Sequence, residues 1–322
     1  MLLWWINLLF YTSQKQTQLV NNIPQPTGQP RERHLNKAIS KLVMANRRES
    51  PSSINTFKQC KRKYYYQYIE KLPTRPSIHL VRGNIVHSVL EDFYDIDVSK
   101  FREDNYDLQF KVALQRLLLY QWQQYSKELA KLDMNSDKLK FYFEESMVMV
   151  MNWGKIFLGD FSKKLQLNGS SIMDVFQEMT PVRELEYKSD EHQVRGFIDA
   201  IHHENDQIHI VDYKTNARSD IKSSIILQLS IYSLLYQEKH NKLPDKVGIF
   251  FLRDRLKMLP VKEEMIQNAK AEVEMIHAHT DLTEDKTDYG RTVTPLCKWK
   301  TGQCDFYETC QPHKNGKIKW RF

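Results

Sequence analysis

Apolar and polar residues recur with a helical period over much of the first half of the chain. The stretch RGNIVHSVLEDFYDI predicts an amphipathic helix that begins near its glycine, with Ile85, Val89 and Phe93 on or near one face. Longer helical patterns, rich in Leu, Gln, Lys and Met, follow at residues 106–132 and 138–167. This half of the chain is therefore predicted to be helical.

The pattern changes at Pro181, where short apolar runs predict strands. The runs PVRELEYKSD, HQVRGFIDAIHHEN and DQIHIVDYKTN are separated by polar clusters, and Asn205-Asp206 is predicted to form a hairpin turn. The next segments predict a helix (SSIILQLSIYSLLYQEKH), a strand (DKVGIFFLRD) and a helix (KEEMIQNAKAEVEMIHAH), before an irregular tail from Asp281. This order of elements predicts a layered α/β or α+β domain.

Composition narrows the class of protein without fixing its function. The chain has 322 residues, 41% of them apolar, which suffices for one large domain or two modest ones. A formal net charge of +7 favours a polyanionic partner. There is no G-x-x-x-x-G-K-[ST] phosphate loop, so the chain does not look like an ATP-driven motor.

The amino-terminal segment is predicted to lie outside the folded domain. MLLWWINLLF is about half the length of a membrane span, and it lacks a preceding basic residue and a clear cleavage site. Residues 13–36 are rich in Gln, Asn, Pro and Thr and predict disorder. We therefore expect residues 1–50 to be a disordered or non-native leader, with Met44 as an alternative start, and we expect a cytoplasmic protein without a membrane anchor.

Two carboxylates and a lysine mark the ends of the predicted strands. Asp199 ends the apolar run VRGFID, and Asp212 ends IHIVD. If the two strands pair through the hairpin, these acids approach each other, and two close carboxylates need a cation between them. Mg²⁺ and Mn²⁺ prefer such oxygen ligands. Lys214 lies on the same strand face as Asp212, where it can orient a water or stabilise charge on a phosphate.

GFIDAI followed by IVDYKTN resembles the PD-(D/E)XK nuclease signature in its RecB-like form. Asp199 matches the first acid of the signature, and Asp212 and Lys214 match the second acid and the lysine. The family also carries a histidine in an earlier G-x-x-x-H pattern, which corresponds here to Gly83 and His87 in GNIVHSVLE. The resemblance implies that Asp199, Asp212 and His87 bind Mg²⁺ or Mn²⁺.

Three further positions carry supporting roles in this resemblance. QLSIY matches the family's Q-x-x-x-Y motif, so Gln228 and Tyr232 are expected to orient the lysine or contact DNA. ELEY resembles the strand that often carries another acid, which would be Glu186. Glu91 lies one turn after the histidine and is a candidate to support it. A solvated helix face or an ordinary strand end explains each of these residues when it is taken alone.

From the sequence alone, the spacing of the four cysteines allows two interpretations. Cys60 lies far from Cys297, Cys304 and Cys310, and a Cys₄ set suits Zn²⁺ or an iron–sulfur cluster, while scattered cysteines are by default unrelated buried thiols. Some RecB-like nucleases, the AddB subunit type and the CRISPR-adaptation nucleases, have one cysteine before the core and three after it. That resemblance implies a [4Fe-4S] cluster that joins the two ends of the domain, with Zn²⁺ as the alternative.

The resemblance implies a restriction-endonuclease-like α/β fold, with a central mixed β-sheet flanked by helices. The nuclease domain would span residues 51–322, with a helical insertion at about 101–175 and a cysteine-rich tail at about 290–315. The expected activity is metal-dependent hydrolysis of DNA, by an exonuclease on single strands in repair, recombination or CRISPR adaptation. The alternative is a non-catalytic or partner-dependent DNA-binding subunit of a helicase–nuclease complex. Helicase or CRISPR-adaptation proteins are the partners implied.

Overall fold

The computed structural model describes residues 47–216, 219–283, 285–300 and 302–312. Most of the predicted leader lies outside these residues. The helices are α1 (Pro51–Gln59), α2 (Lys61–Tyr64), α3 (Ile78–Asp92), α4 (Tyr106–Gln124), α5 (Ser126–Ala130), α6 (Ser136–Asn168), α7 (Ile172–Met179), α8 (Ser223–His240), α9 (Glu263–Thr280) and α10 (Tyr307–Cys310). The strands are β1 (Val182–Ser189), β2 (Val194–Glu204), β3 (Gln207–Lys214), β4 (Lys246–Phe251), β5 (Leu256–Pro260), β6 (Lys298–Trp299) and β7 (Gly302–Gln303).

A five-stranded mixed sheet forms the centre of the fold, in the order β1-β2-β3-β4-β5. β3 and β4 are parallel, and the other neighbouring strands are antiparallel. The predicted hairpin joins β2 to β3, with Asn205 and Asp206 at φ 47° and 63°, the left-handed region that tight hairpin turns require. The predicted α/β class with a central mixed sheet is therefore confirmed.

Two apolar cores cover the two faces of this sheet. On one face, α3, α4, α6 and α7 pack against Ala200, Val211 and Phe250. On the other face, α1, α8 and α9 pack against a second set that includes Ile198 and Ile210. Because side chains alternate along a strand, the neighbouring residues Ile210 and Val211 of β3 belong to different cores, and a strand buried on both sides reads as a continuous apolar run.

The sheet splits open between β2 and β3. Their pairing runs from Glu204↔Gln207 to Ala200↔Val211 and stops there. Beyond that pair, β2 continues along β1, while β3 continues along β4 as far as Lys214↔Phe251. The acids predicted to meet, Asp199 and Asp212, are the residues at the point of divergence.

Several elements differ from the sequence prediction, including β6, β7 and α10 in the tail that was predicted to be irregular. α3 begins at Ile78, upstream of Gly83, and the helix is preceded by Ser77 in extended conformation. The short strand β5 was not predicted; it is the edge strand of the sheet and pairs with β4. Within the described ranges, no helix is both long enough and apolar enough to cross a membrane.

Candidate active site

The split in the sheet leaves polar groups of β2 and β3 free to face each other. The Tyr213 backbone N–H donates a hydrogen bond to Asp199 Oδ2 at 2.7 Å, in place of the backbone ladder that ends one pair earlier. Asp199 and Asp212 are both buried. A carboxylate in this position is therefore held by the backbone of the strand that carries the second carboxylate.

His87 reaches the same place from α3. The buried face of this helix, including Ile85 and Val89, packs on the sheet and sets the direction of the imidazole. His87 Nδ1 lies 3.5 Å from Asp199 Oδ2, and Nε2 lies 3.1 Å from the Tyr213 carbonyl oxygen. Burial alone would lower the pKa of His87, but the hydrogen bond and negative charge of Asp199 raise it to about 9.

Glu184 of β1 completes this group, and the sequence did not single it out. The β1–β2 register passes from Arg183↔Ala200 to Leu185↔Ile198, so Glu184 and Asp199 face each other at an unpaired step. Glu184 has φ 47°, a strained value for a residue with a Cβ. Burial, followed by the charge of Asp199, raises the pKa of Glu184 to about 7.

Asp212 lies beside this group with two partners of its own. Lys214 Nζ lies 2.8 Å from Asp212 Oδ2, and Gln228 Nε2 donates to Asp212 Oδ1 at 2.7 Å. Gln228 Nε2 also donates to the Tyr232 hydroxyl at 2.8 Å, so the two residues of the Q-x-x-x-Y motif form one unit on α8. Burial raises the pKa of Asp212, and the positive charge of Lys214 acts against that rise.

A glycine on β2 makes room for this unit. A Cβ placed on Gly196 would lie 2.8 Å from Tyr232 Cε1, closer than Cβ atoms approach other heavy atoms. The glycine of GFID thus allows the tyrosine ring to pack against β2. The motif residues of four separate elements, α3, β2, β3 and α8, are brought together at the open end of the sheet.

Comparison with protein families agrees with this arrangement. A profile of the PD-(D/E)XK nuclease superfamily matches residues 48–311. The chain belongs to this superfamily. The match covers most of the described residues, including every element that contributes to the site.

Other comparisons add little to the superfamily assignment. A crystal structure from Eubacterium rectale, described as a "putative exonuclease", superposes with a TM-score of 0.47 at 11% identity, over 92% of this chain and 97% of that one. At this level of similarity it carries no argument about activity. A comparison with curated proteins gives no match.

Two of the residues predicted to support the superfamily site are not part of the close group that includes His87 and Asp199. Glu186 pairs with Lys188 at 2.7 Å and with Arg195 at 3.2 Å, and these partners hold the pKa of its carboxyl below the usual range. It does not join His87 and Asp199; Glu184 does so in its place. Glu91 is exposed on α3, and its backbone carbonyl accepts a hydrogen bond from Arg183.

The donor set fits a hard divalent cation. One ligand atom from each of His87, Glu184 and Asp199 lies within 4.8 Å of the other two. Carboxylate oxygens suit Mg²⁺ or Mn²⁺, and an ion there would offset the repulsion from Asp199 that, after burial, raises the pKa of Glu184. That Asp212 itself binds the ion remains a prediction.

A second feature of the fold is the cavity that the four cysteines line. Cys60, Cys297, Cys304 and Cys310 are half-buried free thiols that line one cavity of about 200 Å³. The Cys304 N–H donates to the Cys297 carbonyl at 3.0 Å, and burial raises the pKa of the Cys304 and Cys310 thiols. Among the described residues, no three ligand atoms that include a cysteine Sγ all lie within 4.8 Å of one another. The structure therefore shows neither a zinc site nor an iron–sulfur cluster.

Proposed function

We propose that the chain is a metal-dependent deoxyribonuclease that hydrolyses phosphodiester bonds, acting as an exonuclease on single-stranded DNA. The observation that carries the proposal is the meeting of His87, Glu184 and Asp199 at the sheet split, beside Asp212 and Lys214. Superfamily membership supports a nuclease and DNA as its substrate.

The residues divide into a group that holds the ion and a group that positions the lysine. His87, Glu184 and Asp199, together with Asp212, would hold Mg²⁺ or Mn²⁺. A divalent ion supplies polarisation of the phosphate and a lowered pKa for the attacking water. The Asp212 carboxylate holds the Lys214 ammonium at 2.8 Å, where the cation can orient that water or offset charge that develops on the phosphate.

The second group acts through Asp212. The Gln228 amide fixes one carboxylate oxygen of Asp212, which leaves the other oxygen to face Lys214. Tyr232 in turn accepts from the same amide and fixes its rotamer. Gln228 and Tyr232 are therefore positioning residues in this proposal, and we expect their loss to reduce the rate more than it reduces DNA binding.

The test is a cleavage assay on the purified full chain. End-labelled linear single strands and closed single-stranded circles are incubated with Mg²⁺, Mn²⁺ or EDTA, and Asp212→Ala is the control. The proposal expects metal-dependent loss of the linear strand that this variant abolishes, with the circle intact. Cutting of the circle would replace the exonuclease assignment with an endonuclease.

A non-catalytic or partner-dependent DNA-binding subunit is the competing function. The intact set of acids and lysine disfavours it, since binding alone does not require a paired acid and lysine beside a metal-ligand group. DNA binding without cleavage by a folded, metal-loaded chain would favour this alternative. A role in repair, recombination or CRISPR adaptation, with helicase or CRISPR-adaptation partners, rests on the family resemblance alone.

The proposal extends to the cysteines, which would hold a [4Fe-4S] cluster in preference to Zn²⁺. Support comes from the single cavity that all four thiols line, between the start of the domain and its tail. A cluster is larger than one ion, so its thiolates stand further apart than the ligands of a single ion. Anaerobic purification followed by iron, sulfide and zinc analysis tests this, with Cys304→Ser as the control. Metal-free protein that is fully folded would contradict it.

A further inference from the structure

Arg253 lies at the same end of the sheet as the candidate active site. It follows β4, whose Phe251 pairs with Lys214 of β3. The next residue, Leu252, donates its N–H to the Lys214 carbonyl at 3.0 Å. Arg253 is therefore two residues beyond the strand partner of the lysine, in the turn that leads to β5.

A carboxylate from the helical insertion holds this arginine in a fixed orientation. Arg253 Nη1 and Nη2 lie 2.9 and 3.0 Å from the two carboxylate oxygens of Glu145 on α6. The turn itself is fixed by Asn152 of α6, whose amide donates to the carbonyls of Leu252 at 2.9 Å and Asp254 at 3.1 Å. A guanidinium held in this way loses little conformational entropy on binding a ligand.

Glu145 is shared with a second arginine, so the cluster carries excess positive charge. Arg82 of α3 lies 2.6 Å from Glu145 Oε2 and donates to the Thr215 carbonyl at 3.3 Å. The Arg82 side chain is 3% exposed, whereas that of Arg253 is 26% exposed. One carboxylate thus neutralises the inner arginine and leaves the outer one with a net charge that solvent, or an anion, can reach.

One arginine suffices to balance the charge of Glu145, so Arg253 adds a positive charge that the ion pair with Arg82 does not require. A single buried arginine on Glu145 already links α3, α6 and the residue after Lys214. A second guanidinium beside it adds repulsion. Burial lowers the pKa of Arg82, and the positive charge of Arg253 lowers it further. An anion next to Arg253 would remove that repulsion.

We propose that Arg253 binds a backbone phosphate of the DNA strand that enters the metal site, with Glu145 fixing the orientation of its guanidinium. The inference rests on the proposed function, because the phosphate belongs to the same nucleic acid that is cleaved. Glu145 takes one N–H from each Nη of Arg253, and the remaining Nη N–H groups can donate a charge-assisted hydrogen bond to a phosphate oxygen. The position two residues beyond the strand partner of Lys214 places this contact at the same end of the sheet as the metal site.

The test compares Arg253→Ala with Arg255→Ala, a matched control in the same turn. The Arg255 side chain is 71% exposed and lies 3.8 Å from Asp254, so its removal deletes one equal charge without a fixed contact. Binding of a labelled single-stranded oligonucleotide is measured in EDTA over a range of salt concentrations. We expect Arg253→Ala to weaken binding about tenfold and to lower the salt slope by about 0.7, and Arg255→Ala to change affinity less than about twofold.

Methylphosphonate substitution at successive positions of the oligonucleotide then locates the contact. Neutralising the contacted phosphate should weaken binding to the wild type and have no effect on Arg253→Ala. The inference would be overturned if Arg253→Ala and Arg255→Ala lost equal affinity for the oligonucleotide. It would also be overturned if no methylphosphonate position weakened wild-type binding without affecting Arg253→Ala. Wild-type cleavage in Mn²⁺ with unchanged binding by Arg253→Ala would refute the inference alone, whereas a wild type that neither cleaves nor binds DNA would refute the proposed function as well.

Glu145→Gln separates phosphate binding from a structural role. This variant breaks the same ion pairs but keeps the Arg253 charge. We expect a smaller loss of affinity than Arg253→Ala causes, with the same methylphosphonate position still sensitive. A loss equal to that of Arg253→Ala would show that the ion pair, and not the cation, supports binding.

Discussion

Replacement of Glu184 by Gln is the sharpest test of the site, because the side chain keeps its shape and one oxygen. Glu184 supplies one of the two carboxylates in the close group with His87 and Asp199, so the variant removes half of that group's negative charge. Changes to residues that only support metal ligands already cost roughly 10- to 100-fold in affinity. We therefore expect Mn²⁺ affinity to fall about 100-fold or more, equivalent to about 2.7 kcal/mol.

Glu186→Gln is the matched control on the same strand. Its carboxylate pairs with Lys188 and Arg195, away from the group. Calorimetric titration of Mn²⁺ into each full-length variant gives the affinity, and circular dichroism confirms the fold. We expect Glu186→Gln to remain within about twofold of the wild type. Equal affinities in the two variants, or a larger loss in Glu186→Gln, would refute the assignment of Glu184.

Three further predictions follow from the same geometry. The pKa values of Glu184 and His87 are about 7 and about 9, so both side chains carry protons at pH 7 that Mn²⁺ must displace. Mn²⁺ binding at pH 7 should therefore release roughly one to two protons, and Mn²⁺ affinity should rise from pH 6 to pH 8. Calorimetric titrations in buffers of different ionisation enthalpy measure the number of protons released. Gln228→Leu removes a 2.7 Å donor from a buried carboxylate and should lower the metal-free free energy of unfolding by about 1.5–3 kcal/mol, with a smaller loss in Mn²⁺, as urea denaturation would show. Gly196→Ala places a Cβ 2.8 Å from the Tyr232 ring and should cost about 1–3 kcal/mol in the same assay; an unchanged midpoint would contradict the packing.

Local rules account for most of the fold and, together with the family resemblance, for the main motif residues. The hairpin could be predicted from the sequence because Asn and Asp tolerate the positive φ that the turn needs. The position of the turn then sets the register of β2 against β3. Once the register is fixed, Asp199 and Asp212 must lie near the end of the pairing. The helix SSIILQLSIYSLLYQEKH matches α8 residue for residue, because its ends carry polar residues and its centre is apolar.

The acid on β1 could not be read from the strand pattern. In a regular strand Glu184 and Glu186 would share a face, so periodicity gives no reason to prefer one of them. The unpaired step at Glu184, with its positive φ, turns one carboxylate toward Asp199 and leaves the other with Lys188. No glycine marks this irregularity, because the packing around the strand, and not its local sequence, sustains the strain.

The Arg82–Glu145–Arg253 cluster was equally invisible in the sequence. Its members come from α3, α6 and the β4–β5 turn, and no spacing rule links such distant positions. The placement of the cysteines could not be predicted from the sequence either. Their spacing allowed several interpretations, and the fold adds that all four line one cavity.

The most direct test of the account is a crystal structure of the chain with Mn²⁺, with diffraction recorded at an energy where manganese scatters anomalously. We expect an anomalous peak at the sheet split, in contact with His87, Glu184 and Asp199. A well-diffracting, Mn²⁺-soaked crystal with no peak there, or with the ion bound only elsewhere, would contradict it.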